Sequence, residues 1–455
     1  MPALVDVSDV AFECRPIELI GAFESTYQPE HDVDVAESSG HIERRDDDLR
    51  LLAACGVRTV RYPVRWHRVE REPSVFDWSE TDAVFEQLAE NGLHPIVDLV
   101  HHTSYPRWLR HGFADPAFPS AYLRYVEALF DRYPAISHYT LFNEPLATLF
   151  LCGHEAIWPP YGEGVDELLA LFRNVLPVVA EASRRCKAHD PAGIHMWCDT
   201  CERHTAGSRS GRRYAAYAND RRFFVLDAVL GRHQTYGVRG RPFVAEVVAH
   251  GGGDLLELEP GVVDVVGLDY YPHCQWHFDE TGGSAPTTHP ARFADLIGEY
   301  AERYERPVWV GETNLRGYPS DRATWFKYVL EQSEIAAAGG VDLRGLCWFP
   351  FVDSCDWDSL LQRADCHIDP VGVFWVDPSG ARRPSAMSES YIAAAQGTPA
   401  RDLAAYDWRE PVRTWLKGWE PQIAHWNRLH PPLDGHPHGV PGDERFAPLT
   451  VRAAG

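Results

Sequence analysis

Near-continuous apolar runs recur along the chain at fairly regular intervals. They are IELIGAF (17–23), VRTVRYPV (57–64), HPIVDLV (94–100), SHYTLF (137–142), GIHMWC (193–198), VDVVGLDYY (263–271), RPVWVGE (306–312) and LRGLCWFPF (343–351). Strands covered on both faces read this way, without the alternation of a half-exposed strand. Between the runs, apolar residues return at helical spacing. RRDDDLRLLAACG (44–56) gathers Leu49, Leu52 and Ala53 on one side and stops at Gly56. SETDAVFEQLAENG (79–92) is predicted to open on a Ser-x-x-Asp cap and to close at Gly92. Further helices are predicted over 120–132, 165–188, 213–230, 290–303, 320–338 and 385–396.

Eight strands alternating with helices predict an α/β chain forming a single (β/α)8 TIM barrel over residues 1–397. A doubly wound open sheet is the rival. It is disfavoured because no G-x-G-x-x-G turn follows the first strand and because polar residues gather at the strand ends throughout. From 398 to 455 the composition shifts to proline, histidine and tryptophan, which predicts an irregular C-terminal extension packed on the barrel.

In a barrel, side chains at the carboxyl ends of the strands converge on one mouth. Those residues are Glu24, Tyr27 and Gln28 after strand 1, Arg61 and Trp66 at strand 2, and His101 and His102 at strand 3. Strand 4 adds Asn143 and Glu144, strand 6 Asp269 and Tyr271, strand 7 Glu312 and Asn314, and strand 8 Trp348, Asp353, Asp356 and Trp357. Hydrogen-bonding groups set among indole rings suit a polyhydroxylated ring, whose hydroxyls need partners and whose C–H faces stack on aromatics. Glu144 and Glu312 stand 168 residues apart, and a glutamate closing an apolar strand is poorly explained by packing. A pair of them is what glycosidic-bond cleavage needs, one carboxyl to protonate the leaving oxygen and another to attack or to activate water.

Composition narrows the partners. A formal charge of −23, from 43 basic and 66 acidic residues, excludes nucleic acid and anionic membrane surfaces as natural partners. No apolar run is long enough to span a bilayer. The amino terminus lacks a basic region followed by an apolar stretch, so no signal peptide is expected. Ten cysteines without a framework fit reduced thiols in the cytoplasm. The C-D-T-C at 198–201 lacks a second pair to complete a tetrahedral metal site, and neither a metal nor a cofactor is expected.

Seven segments in chain order resemble glycoside hydrolase family 1, the β-glucosidase-type barrels, over about residues 17–395. FNEP looks like that family's acid/base motif. GAFESTYQPE resembles G-A-x-x-S-A-Y-Q-x-E, RYPVRWHR resembles R-x-S-x-x-W-x-R, and HTSYPRWL resembles H-W-D-x-P-x-x-L. GLDYYP resembles G-x-N-Y-Y, WFPFVDSCDW resembles W-S-L-L-D-N-F-E-W, and VGVFWVD resembles F-G-L-x-x-V-D. Residues 39–66 also look like the glycosidase-like domain that some bacterial proteins fuse to a sugar-nucleotide reductase.

The resemblance implies a retaining, double-displacement β-glycosidase acting on a small carbohydrate or glycoside. Glu144 would be its general acid/base and Glu312 its nucleophile, the carboxyls standing about 5–5.5 Å apart. Arg61 and Tyr271 would keep Glu312 ionised, and Asn143 would bind the 2-hydroxyl. Gln28, His102 and Asp269 would meet other hydroxyls, Trp348 would stack on the ring, and Asp356 with Trp357 would meet its distal edge. The chain departs from the pattern at G-E-T-N for T-E-N-G, at Asp269 for asparagine, at Asp356 for glutamate and at H-T-S for H-W-D. These departures leave open a sugar-binding protein without turnover, and the same two carboxyls would equally serve transfer to an acceptor other than water.

Overall fold

A computed structural model describes residues 17–287, 290, 292–377 and 379–406. The signal-peptide reading of the amino terminus and nearly all of the predicted C-terminal extension lie outside the described residues. All eight apolar runs form strands: β1 (Leu19–Ala22), β2 (Thr59–Pro63), β3 (His94–Asp98), β4 (His138–Thr140), β5 (Ile194–His195), β6 (Val266–Asp269), β7 (Val308–Glu312) and β8 (Leu343–Trp348). They pair in parallel in the order β5-β4-β3-β2-β1-β8-β7-β6. Parallel bridges Met196–Val265 and Thr200–Asp269 join the free edges of β5 and β6 and close the ring.

Successive side chains on a strand point to opposite faces, and that period sorts the core into two layers. Ile20, Ala22, Ile96, Met196, Val265, Trp309 and Cys347 fill the barrel's interior. The alternate positions, such as Leu19, Val60, Val97, Val308 and Leu346, pack outward against the helices. The helix α1 (Arg45–Ala54) approaches β1 so closely that a Cβ on Gly21 would lie 2.5 Å from Leu52, which explains the glycine.

The other helices of six or more residues follow their strands: α2 (Ser79–Glu90), α3 (Phe118–Arg132), α4 (Pro145–Gly153), α5 (Val165–His189), α6 (Gly211–Arg221), α7 (Phe224–Val229), α8 (Pro242–Ala249), α9 (Phe293–Tyr304), α10 (Pro319–Ala338) and α11 (Ala386–Ala395). Two local expectations change. Ser79 does not cap α2; it is the first helical residue, and its N–H donates to Asp77. The run 213–230 is broken into α6 and α7 where Arg222 turns away to the Glu202 carbonyl and to Glu299. A small sheet formed by Arg203–Ala206, Gln275–Phe278 and Ser284–Pro286 was not evident in the apolar pattern. Among the described residues no helix is long and apolar enough to cross a membrane.

Candidate active site

The carboxyl ends of the strands surround a cavity of about 230 Å³ lined by Glu24, His102, Glu144, Tyr271, Glu312 and Trp357, with an apolar side from Leu146, Leu151 and Ile157. Glu144 reaches it because the chain turns sharply after β4. Pro145 occupies the first turn of α4, where its missing N–H costs nothing. Glu144 is the residue before that helix and sits at φ +40°, a left-handed backbone that a non-glycine side chain adopts only when its surroundings enforce it. Here its N–H donates to the Cys198 carbonyl at 3.1 Å and its own carbonyl accepts from Thr148 N–H at 2.7 Å. Asp199 secures the same helix start by accepting from Leu146 N–H at 2.8 Å. Burial pushes the Asp199 carboxyl up to about 7 although backbone N–H groups pull the other way.

The two glutamates meet different neighbours. Glu312, at the end of β7, accepts from Arg61 at 2.5 Å on one oxygen and from the Tyr271 hydroxyl at 2.7 Å on the other. The Glu144 carboxyl finds no hydrogen-bond donor among the described residues; its nearest basic neighbour is His102 Nε2, 3.8 Å away. Burial raises both carboxyls. For Glu144, the neighbouring carboxyls of Asp269 and Glu312 add to that rise, whereas for Glu312 the rise is offset by Arg61, His101 and Tyr271. Glu144 is therefore the stronger holder of a proton and Glu312 the readier to ionise.

Arg61 is fully buried and divides its guanidinium between Glu312, Asp98 at 2.9 Å and the Asn143 side-chain carbonyl at 2.5 Å. Asp98 also binds His101 at 2.7 Å and the Thr140 hydroxyl at 2.6 Å. Burial alone would raise it, yet Arg61 and His101 hold the Asp98 carboxyl well below the usual range. The Asn143 amide nitrogen faces His102 Nε2 at 3.2 Å. The opposite ring nitrogen of His102 lies 2.8 Å from the Thr148 hydroxyl, which itself donates to the Asn143 backbone carbonyl. His102 is thus the Nδ1–H tautomer, accepting from Asn143 at Nε2. Burial, then the charges of His101 and Arg61, keep it neutral.

The predicted residues divide accordingly. Glu144, Glu312, Arg61, Asn143, Tyr271 and His102 come together, and Trp357 lines the cavity beside His102. Gln28, Trp348, Asp269 and Asp356 are buried and do not line it. The Trp348 indole donates to the Val371 carbonyl at 2.9 Å, and the ring is fully buried outside the cavity lining. Asp356 is turned into its own loop, where it accepts from Cys366 and His367 N–H at 3.0 and 2.8 Å; the acid of that loop that reaches the cavity is Asp369, paired with Arg316 at 2.9 Å. Cys198 donates to Asn143, and both thiols of the C-D-T-C segment are free and buried. Sequence reasoning passed over Asp98, Asp199, Asp369 and Trp158. An acid ending the apolar run HPIVD was the readable signal for Asp98.

These features define a closed (β/α)8 barrel with paired carboxyls at the carboxyl ends of β4 and β7. The profile of glycosyl hydrolase family 1 matches residues 22–274, and the chain belongs to that family. Thermostable beta-glucosidase B of Thermobispora bispora is 26% identical over 300 residues, an alignment covering 64% of this chain and 58% of that relative. Beta-glucosidase 4 of Oryza sativa is 23% identical, with 80% and 86% covered. Among solved structures, the Thermotoga maritima beta-glucosidase in complex with deoxynojirimycin superposes with a TM-score of 0.66 at 15% identity, covering 84% of this chain and 98% of that one.

Proposed function

We propose that the protein is a retaining β-glycosidase hydrolysing a β-linked glycoside by double displacement. The observation that carries this reading is the unequal pair: each glutamate places an oxygen within 4.8 Å of the other, but only Glu312 is held between a guanidinium and a phenol. So close a spacing suits direct attack on the anomeric carbon and leaves little room for an intervening water. Glu312 attacks to form a glycosyl-enzyme while Glu144 gives its proton to the leaving oxygen. The ionised Glu144 then takes a proton from water as the water oxygen attacks the anomeric carbon; the bond from that carbon to Glu312 breaks, the sugar leaves, and both groups are restored. Family membership supports the same chemistry.

We assign the 2-hydroxyl to Asn143, a role supported by its contacts with Arg61 and His102, and the aromatic wall to Trp357, which lines the cavity. We also infer a cytoplasmic setting, supported by nine free cysteines among the described residues. Turnover of aryl β-glycosides by wild type, Glu144→Gln and Glu312→Gln tests the assignment. Loss of turnover in both variants and retention of anomeric configuration are expected; inversion, or an unimpaired variant, would overturn it.

A further inference from the structure

Asp269 has no part in the reactions above, yet it stands at the centre of the carboxyl cluster. It is 0% exposed, lies opposite Glu312 in the β6–β7 register, and finds no hydrogen-bond partner for either oxygen. One of its oxygens lies within 4.8 Å of an oxygen of Glu144 and of Glu312. The space is made for it: a Cβ on residue 311 would come within 2.4 Å of Asp269 Oδ1, and the residue there is glycine.

The charged and titratable neighbours come from every side. β2 supplies Arg61, β3 Asp98, β8 Cys347, the segment after β5 Cys198, Asp199 and Cys201, and the segment after β6 Tyr271. β7 supplies Glu312 and the turn after β4 Glu144. Arg61 spends its two terminal nitrogens on Glu312, Asp98 and Asn143; its Nε–H is itself without a partner, and no Arg61 donor makes a hydrogen bond to Asp269. An ionised carboxylate with two bare oxygens in such a place costs several kcal/mol, roughly what removes the charge by protonation instead. Glu312 has two donors to stabilise its charge, so the proton falls to Asp269.

We propose that Asp269 is a positioning residue that holds a proton against Glu312, the two carboxyls ionising as one unit with a single negative charge through the working pH range. The proposal rests on Glu312 being the nucleophile. Two carboxyls so close titrate as a pair, and their first proton leaves from the better-solvated member. Burial, and then the Glu312 charge, raise the Asp269 carboxyl in keeping with this.

Infrared spectra of the full-length protein carrying carboxyl-¹³C aspartate test the idea. At about pH 8 the spectra are taken above the positions to which burial pushes Asp199 (about 7) and Asp369 (about 6). Wild type is expected to keep a protonated-aspartate band there, and Asp269→Asn to lose it. In Glu312→Gln the band should titrate at least about one pH unit lower, because the charge that holds the proton is gone. An unchanged band in Asp269→Asn, or the same titration in Glu312→Gln as in wild type, would overturn the proposal. If Asp269→Asn fails to fold, the comparison of wild type with Glu312→Gln still decides. Turnover by Glu312→Gln reports separately on the nucleophile.

Discussion

Replacing Tyr271 by phenylalanine removes one atom from the site, the hydroxyl that donates to Glu312 at 2.7 Å, and leaves the ring in place. A buried hydrogen bond to a charged group contributes about 1.5–3 kcal/mol. At about 1.4 kcal/mol per pKa unit, its loss moves the ionisation of Glu312 by about 1–2 pH units. The direction follows from which form the bond favours. The hydroxyl donates to the carboxylate and so favours ionisation; without it the ionisation rises. Because attack requires the carboxylate, the acid limb of kcat/KM for an aryl β-glycoside should move to higher pH by that amount. Arg61 stays in place, so the limb should still be reached rather than lost. The assay is a pH profile of kcat/KM for wild type and Tyr271→Phe, with circular dichroism to show both are folded. An acid limb that stays put or moves to lower pH would refute the assignment of Glu312 as nucleophile and of Tyr271 as its partner.

Three other outcomes are expected. Glu144→Gln should lower kcat by about 10²–10⁴ for glycosides with poor leaving groups and far less for the formation of the glycosyl-enzyme from dinitrophenyl glycosides, as burst kinetics would show. Trp348→Phe should cost about 1–3 kcal/mol in denaturant unfolding, because the Val371 carbonyl loses its donor, while KM stays within about twofold; a large rise in KM would mean the indole does touch the sugar. Asp356→Ala should free the 356–367 loop, seen as faster proteolysis there and a raised KM, since two backbone N–H groups lose their acceptor.

The strands were legible because burial on both faces leaves an unmistakable run of apolar residues, and the two glutamates because each ends such a run. What the pattern could not supply was direction. Gln28, Trp348 and Asp356 sit where a strand-end list places them, but a turn of the following loop decides whether a side chain enters the cavity or braces the wall. Asp98 and Asp199 escaped for the opposite reason: they lie within or just beyond apolar runs and act through Arg61 and through the start of α4. The left-handed turn at Glu144 has no signature of its own beyond the proline that follows.

The ring closes between β5, a strand of two residues, and β6, and it does so through isolated bridges at Met196 and Thr200. That seam carries Cys198, which donates to Asn143, Asp199, which secures the start of α4, and Asp269, the proposed holder of a proton beside Glu312. Across the seam Trp197 N–H donates to the Val265 carbonyl, Cys201 N–H to the Asp269 carbonyl and Asp269 N–H to the Asp199 carbonyl, without a continuous ladder between them, and an interrupted ladder opens at lower free energy than a continuous one. On warming, amide exchange should therefore quicken first along 196–201, and the proposed glycoside turnover should fail while the helices remain intact: the site would come apart before the fold does.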